Sequence, residues 1–231
     1  IGSLAALIDE VVPADIRRSA PMEIVEAGDE AAVLAGLRVL AGRNTVLKSL
    51  IGQGYYGTHV PPVVLRNVLE NPAWYTAYTP YQPEITQGTL QYLFEFQTQV
   101  TLLTGMEVAN ASMYDGSTGT SEAVLMANRI TRRHKALISG GLHPQYVSII
   151  ETTAKWEGFK AEIGKPDAEG LEDLIAQVDK ETSCVVVQNP SFFGHVRDFG
   201  RLAEACHAAG ALLIVVVTEI VSLGLIKPPG E

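Results

Sequence analysis

Four stretches of this sequence carry residue types suited to chemistry, and a fifth could shape a cleft. "NASMYDGSTGTSEAVLMA", residues 110–127, sets Gly116, Ser117, Thr118, Gly119 and Thr120 at the opening of a helical pattern. Small residues there let backbone N–H groups and hydroxyls converge, and the helix dipole adds positive potential, so the segment suits a phosphate. The simpler reading is a helix N-cap by Ser117 or Thr118. "SGGLHPQY" places His143 just past a strand end, where its ring could lie against a flat ligand or simply serve a turn before proline. "VVVQNPSFFGH" sets Asn189 and Pro190 after a strand, an amide for a ligand oxygen or ordinary turn chemistry. "VVVTEIVSLG" brings Glu219 to the end of an apolar strand, either as partner to a cationic group or as a solvated loop residue. The loop "NPAWYTAYTPYQPEITQG", with Trp74, Tyr75, Tyr78, Thr79 and Tyr81 among prolines, either rims a cleft or covers apolar surface.

A competing signal is G-x-G-x-x-G at Gly52, Gly54 and Gly57. A dinucleotide fingerprint needs a strand before it, a helix opening on it and an acidic residue about 20 positions on. These glycines instead follow helical residues and run into "THVPP", and the region near 74–80 holds only Trp, Tyr, Thr, Ala and Pro. The string is a coincidence of spacing.

The chemistry-bearing residues depend on an alternation that begins near residue 105. A helix over about 118–129, a strand "ALIS", a helix after Pro144, a strand near "FKAEI", a helix "AEGLEDLIAQVD", a strand "CVVVQ", a helix "FGRLAEACHAAG" and a strand "ALLIVVV" succeed one another. Apolar β-branched strands between helices predict a parallel sheet, with ligands beyond its carboxyl ends. Residues 1–104 read as helical instead. "DEAAVLAGLRVLAGRN" has Asp29 as N-cap with Val33, Leu34, Leu37 and Leu40 on one face, and "VPPVVLRNVLENP" forms a second helix. "GTLQYLFEFQTQVTLLTG" predicts a long third helix, with Leu90, Leu93, Phe94, Val100 and Leu103 inward and Gly105 as its stop. The division is therefore a helical segment with an aromatic loop, 1–104, and an α/β domain, 105–231.

Composition sets the boundaries. The chain has 231 residues, 47% hydrophobic and 19% charged, as folded soluble proteins do. A net charge of −9 argues against nucleic acid and anionic lipid. No apolar run approaches the ~20 residues that cross a bilayer. Cys184 and Cys206 read as buried reduced thiols of a cytoplasmic protein, and no ligand set for a metal accompanies them. The start at Ile1 and the stop at "KPPGE" read as a piece of a longer polypeptide.

"GQGYYGTHVPPVVLRNVLENPAWYTAYTPYQPEITQG" with "FEFQTQVTLLTGMEVANASMYDG" resembles the N-terminal half of the glycine-cleavage P-protein, the decarboxylating glycine dehydrogenase, and "RRHKALISGGLHPQY" is similar to subunit 1, the alpha chain, of its two-subunit bacterial form. The resemblance runs from roughly Ala27 to the end. It implies the large domain of a fold-type I enzyme: three layers around a mainly parallel sheet, in a family that uses pyridoxal phosphate. The implied activity is oxidoreductase chemistry on a CH–NH2 group: glycine loses carbon dioxide and the aminomethyl carbon passes to the lipoyl disulfide of the H-protein. Its implied partners are the beta chain, subunit 2, and lipoylated H-protein.

By the resemblance, Ser117 and Thr118 fall at the phosphate cradle, His143 at the ring-stacking position, Asn189 at the phenolic oxygen and Glu219 at the pyridine nitrogen. Glu219 departs from the pattern, which has Asp; the extra methylene pushes the carboxylate toward the ring. The Schiff-base lysine belongs to the partner chain, and Lys227, the only lysine beyond Glu219, sits in a "KPPG" turn. The resemblance thus implies a vestigial pocket here, with Tyr78, Thr79 and Tyr81 reaching across to complete the partner's active site. The alternatives are a purely structural subunit of the same complex and another fold-type I enzyme.

Overall fold

The computed structural model describes residues 1–72 and 79–231. Tyr78, with Trp74 and Tyr75, lies outside the described residues. The chain divides into two compact units, Ile1–Ile51 and Gly52–Glu231.

The first unit contains α1 (Leu4–Val11) and α2 (Glu30–Ala41). Each begins on an oxygen-bearing cap: Ser3 Oγ accepts from Ala6 N at 3.2 Å and Asp29 Oδ1 from Ala32 N at 2.7 Å. Neither helix buries a residue, and Val33, Leu34, Leu37 and Leu40, which share one face of the pattern, are exposed. The 3.6-residue period specifies which face of α2 is apolar, not what covers it.

The second unit opens on helical residues and ends in the α/β sandwich. α3 (Pro62–Val64) runs directly into a π-turn at Leu65–Leu69, and α4 (Gln87–Thr104) stops at Gly105, whose φ of +69° only glycine adopts without strain. Along α4, Leu90, Leu93 and Val100 are half-buried, whereas Phe94 and Leu103 are exposed, against the inward placement the pattern predicts.

Next come α5 (Gly116–Thr131), β1 (Lys135–Ile138), α6 (Pro144–Glu157), β2 (Lys160–Ile163), β3 (Thr182–Gln188), α7 (Gly200–Ala209) and β4 (Leu212–Val216). All three strand pairings are parallel, in the order β2-β1-β3-β4. The connection through α6 carries the chain outward from β1 to β2, and that through α7 carries it the opposite way from β3 to β4. The crevice between the ends of β1 and β3 is therefore the topological switch point, where open α/β sheets bind ligands.

Alternation along β3 builds the two cores. Cys184 and Val186 join Ala136, Ile138, Val124 and Ile150 beneath α5 and α6. Val185 and Val187 join Leu137, Leu202 and Cys206 beneath α7. Every β3 side chain is buried, and the middle of the strand, Cys184–Val187, reads as a continuous apolar run between buried polar ends. This is the three-layer α/β architecture expected from the sequence.

The helix expected over 168–179 does not form; only a 3-10 turn at Ile175–Gln177 is present. The reason is Asp167, whose carboxylate accepts the N–H groups of Glu169 (3.2 Å), Gly170 (2.9 Å) and Glu172 (2.6 Å), offering the backbone an alternative to helix. Gly170, at φ +72°, completes that loop.

Beside it, Asp179 accepts from Lys135 Nζ at 2.7 Å and from Thr182 at the start of β3. The Lys135 hydrogen bond, then that of Thr182, pushes the Asp179 pKa down to about 2 from 3.8. A depressed carboxylate stabilises the fold above its unfolded pKa and loses that contribution as pH falls through the folded value. Asp179→Asn is therefore expected to flatten the acid-unfolding profile between pH 3.8 and about 2, with little change in its slope above pH 5. Urea melts across that range check it.

Candidate functional site

The elements bring Ser117, Thr118, His143 and Asn189 to the carboxyl end of the sheet. α5 starts there because Asp115, not Ser117 or Thr118, is its N-cap: Asp115 Oδ1 accepts from Thr118 N at 2.8 Å and from Ser117 Oγ at 2.6 Å. The Ser117 hydroxyl, then the Thr118 N–H, hold the Asp115 carboxyl below its ordinary value. Over Gly116 lies the Tyr146 hydroxyl, so close that a Cβ at Gly116 would collide with it.

His143 is the N-cap of α6, with Pro144 at the first helical position. Its Nδ1 accepts from Gln145 N at 3.2 Å and its Nε2 lies 3.1 Å from the Gln53 carbonyl oxygen. A carbonyl only accepts, so the pattern assigns the proton to Nε2. The His143 N–H donates to Gln188 Oε1 at 2.9 Å, tying the turn to the last residue of β3. Phe192 meets the imidazole edge-on at 5.1 Å and Tyr146 tilts against it at 5.6 Å.

The segment holding Gln53 is the glycine string itself. Gly52, Gln53 and Gly54 all have positive φ, which curls the chain against α6, and the Tyr55 hydroxyl donates to Gln145 Oε1. No strand precedes it among the described residues, so it is not a nucleotide fingerprint; α2 ends at Ala41, so no helix abuts it either. What the spacing hid is that these glycines bring backbone to His143.

Asn189 is buried, and both ends of its amide are engaged by one residue: Nδ2 donates to Arg197 O at 2.8 Å and Oδ1 accepts from Arg197 N at 3.2 Å. It thereby closes the loop 190–197. Glu219 is exposed beyond β4, where its carbonyl accepts from Ser222 N at 2.9 Å. Thr79 is half-buried and its carbonyl accepts from Tyr81 N at 3.0 Å, while the Tyr81 side chain is 86% exposed.

Sequence reasoning missed Asp115, Tyr146, Gln188 and Glu172. Asp115 carried a local signal, an acid three positions before Thr118. Glu172 carried none: it accepts from Gly140 N at 2.9 Å and from the Ser139 hydroxyl across 32 and 33 positions, and so sets the turn that leads to His143.

A cavity of about 770 Å³ opens beside β4, lined by Asn189, Arg197, Val215, Val217 and Lys227 among others. It includes neither His143 nor the α5 start. Among the described residues no group of three or more His, Cys, Asp or Glu side chains could hold a metal ion, and no helix is long and apolar enough to cross a membrane.

The residues do not fit pyridoxal phosphate at the positions the fold offers. Two of the α5 donors, the Thr118 N–H and the Ser117 hydroxyl, serve a carboxylate, the Asn189 amide is closed on Arg197, and Glu219 faces solvent.

Comparison with known proteins agrees with the architecture. A relative from Rhodospirillum centenum named glycine dehydrogenase (decarboxylating) subunit 1 is 61% identical over 183 residues, 79% of this chain and 40% of its own. One of the same name from Methylocella silvestris is 51% identical over 233 residues, covering 100% of this chain and 52% of its own. A crystal structure of glycine decarboxylase, the P-protein of the glycine cleavage system, in inhibitor-bound form, superposes with a TM-score of 0.78 at 42% identity, over 99% of this chain and 51% of that one. Lactobacillus brevis glutamate decarboxylase, at 12% identity and a TM-score of 0.55, shares the fold alone. The chain spans about half the length of the curated relatives it matches. Since the family model of the glycine cleavage system P-protein matches residues 1–231 from end to end, the chain belongs to that family.

Proposed function

We propose that this chain is the N-terminal half of the alpha subunit of a two-subunit glycine decarboxylase. The enzyme decarboxylates glycine and transfers the aminomethyl carbon to the lipoyl group of H-protein; the beta chain supplies the lysine that carries pyridoxal phosphate. The observation that carries the reading is the similarity over 95–98% of this chain to proteins named subunit 1, at 50–54% identity. The lack of fit at the fold's own cofactor positions supports a subunit that serves its partner's site rather than one of its own.

In this reading residues 105–231 form the large-domain scaffold and 1–104 a helical segment. The roles proposed for Tyr78, Thr79 and Tyr81 are in completing the partner's active site; the exposed Tyr81 side chain is free to be covered there. The free, buried thiols Cys184 and Cys206 suit the reducing cytoplasm.

The test is glycine-dependent carbon dioxide exchange with the full-length protein carrying this chain, its beta partner and lipoylated H-protein. Exchange is expected only when both subunits are present, and full exchange by the beta chain alone would refute the reading. Within the assembled complex, Tyr81→Phe is expected to lower turnover about tenfold, the worth of one lost hydrogen bond at the reacting centre. Unchanged turnover with intact assembly favours the purely structural subunit.

A further inference from the structure

We infer that the α5 N-terminus is a phosphate position closed by the protein itself: the Asp115 carboxylate is its resident anion, the Tyr146 hydroxyl fills the space over its glycine, and phosphorylated ligands of the pyridoxal class are thereby excluded. This goes beyond the subunit assignment and rests on this chain's geometry alone.

A helix start attracts anions because its first N–H groups lack partners and the dipole favours negative charge. Here two of the donors that a phosphate would use converge on one oxygen, Asp115 Oδ1, which takes Thr118 N at 2.8 Å and Ser117 Oγ at 2.6 Å. An incoming phosphate would have to break both bonds and lie against a like charge. Gly116 does not leave a way round, because its open side is occupied by the Tyr146 phenol. Tyr146 is in turn seated against the imidazole of His143, which is fixed by Gln53 and Gln145.

The charge states agree with this packing. Ser117 and Thr118 hold the Asp115 carboxyl down, while burial, and then the negative charge of Asp115, push the Tyr146 phenol up. At neutral pH the pair is thus a carboxylate beside a neutral hydroxyl. The residue types that make the segment resemble a phosphate cradle serve an intramolecular anion here.

The experiment uses the full-length protein that carries this chain, alone and with its cofactor-loaded partner. Equilibrium dialysis is run against inorganic phosphate and against pyridoxamine 5′-phosphate, whose amine cannot condense with any of the seven lysines. The unaltered protein is expected to show no saturable binding on this chain up to ~1 mM. Asp115→Gly, a residue tolerated at N-caps, is expected to raise phosphate affinity at least ~10-fold by freeing the Thr118 N–H and the Ser117 hydroxyl. Saturable binding by the unaltered chain overturns the inference, as does a folded Asp115→Gly protein that gains no affinity.

Should that variant not fold, carbon-13 titration of the Asp115 carboxylate decides on the unaltered protein. A midpoint below 3.8, with the Thr118 amide following it and neither resonance moved by inorganic phosphate, supports the inference. An ordinary midpoint, or a Thr118 amide that shifts with phosphate, overturns it. The exchange assay tests the subunit assignment, and phosphate binding tests this inference, so either can fail without the other.

Discussion

Ile150→Ala is expected to lower stability by about 2–5 kcal/mol, the cost of an unfilled cavity in a packed core. Ile150 has no exposed surface and belongs to the layer that it forms with Val124, Ala136, Ile138, Ala154, Phe159, Cys184 and Val186. Its neighbours come from α5, β1, α6 and β3, so no single element can move in to fill the gap. The urea midpoint is expected to fall with an unchanged m-value, since the surface exposed on unfolding stays the same. α6 also carries His143 and Tyr146 at its start, so loosening Ile150 is expected to weaken the cover over Gly116 as well. An m-value that drops with the midpoint would mean that the layers no longer unfold together.

Gly140→Ala is expected to cost about 1–3 kcal/mol or more, for the opposite reason: there is no room. A Cβ at Gly140 would land on the backbone carbonyl of Lys165, and one at Gly164 would lie 2.8 Å from Gly140 N. Both obstacles are backbone, so no side chain can turn aside. The exits of β1 and β2 are held together at this point by Gly164 N donating to Ile138 O at 2.8 Å and by Glu172 on the Gly140 N–H. Separating them would shift the turn that leads to His143. Faster hydrogen exchange at the Gly164 amide checks the mechanism, and Gly57→Ala, where nothing lies within 4 Å and φ is not positive, is the neutral control, within about 0.5 kcal/mol.

The alternation from residue 105 onward revealed α5, β1, β2, β3, β4 and α7 with ends within a few residues, and the start of α6, because apolar period is a local signal; Gly105, Gly158 and Gly210 all close helices with positive φ. The segment 168–179 was misread as helix because its pattern is right but the Asp167 carboxylate captures the backbone first. The apolar faces of α2 and α4 were visible, yet the period cannot report whether a cover exists. At the candidate site, Ser117, Thr118 and His143 were found as positions, but their partners were not. Asp115 was passed over in favour of the hydroxyls beside it, and Glu172 and Gln188 act across 32 and 45 positions, where no spacing rule operates.

The two thiols have a practical use. Cys184 and Cys206 are both buried, yet Cys184 belongs to the layer beneath α5 and α6 and Cys206 to the layer beneath α7. Burial pushes each thiol up to about 11, so neither reacts while its layer stays shut. Alkylation followed by peptide mass spectrometry therefore clocks the opening of each face of the sheet separately, with no label to be introduced.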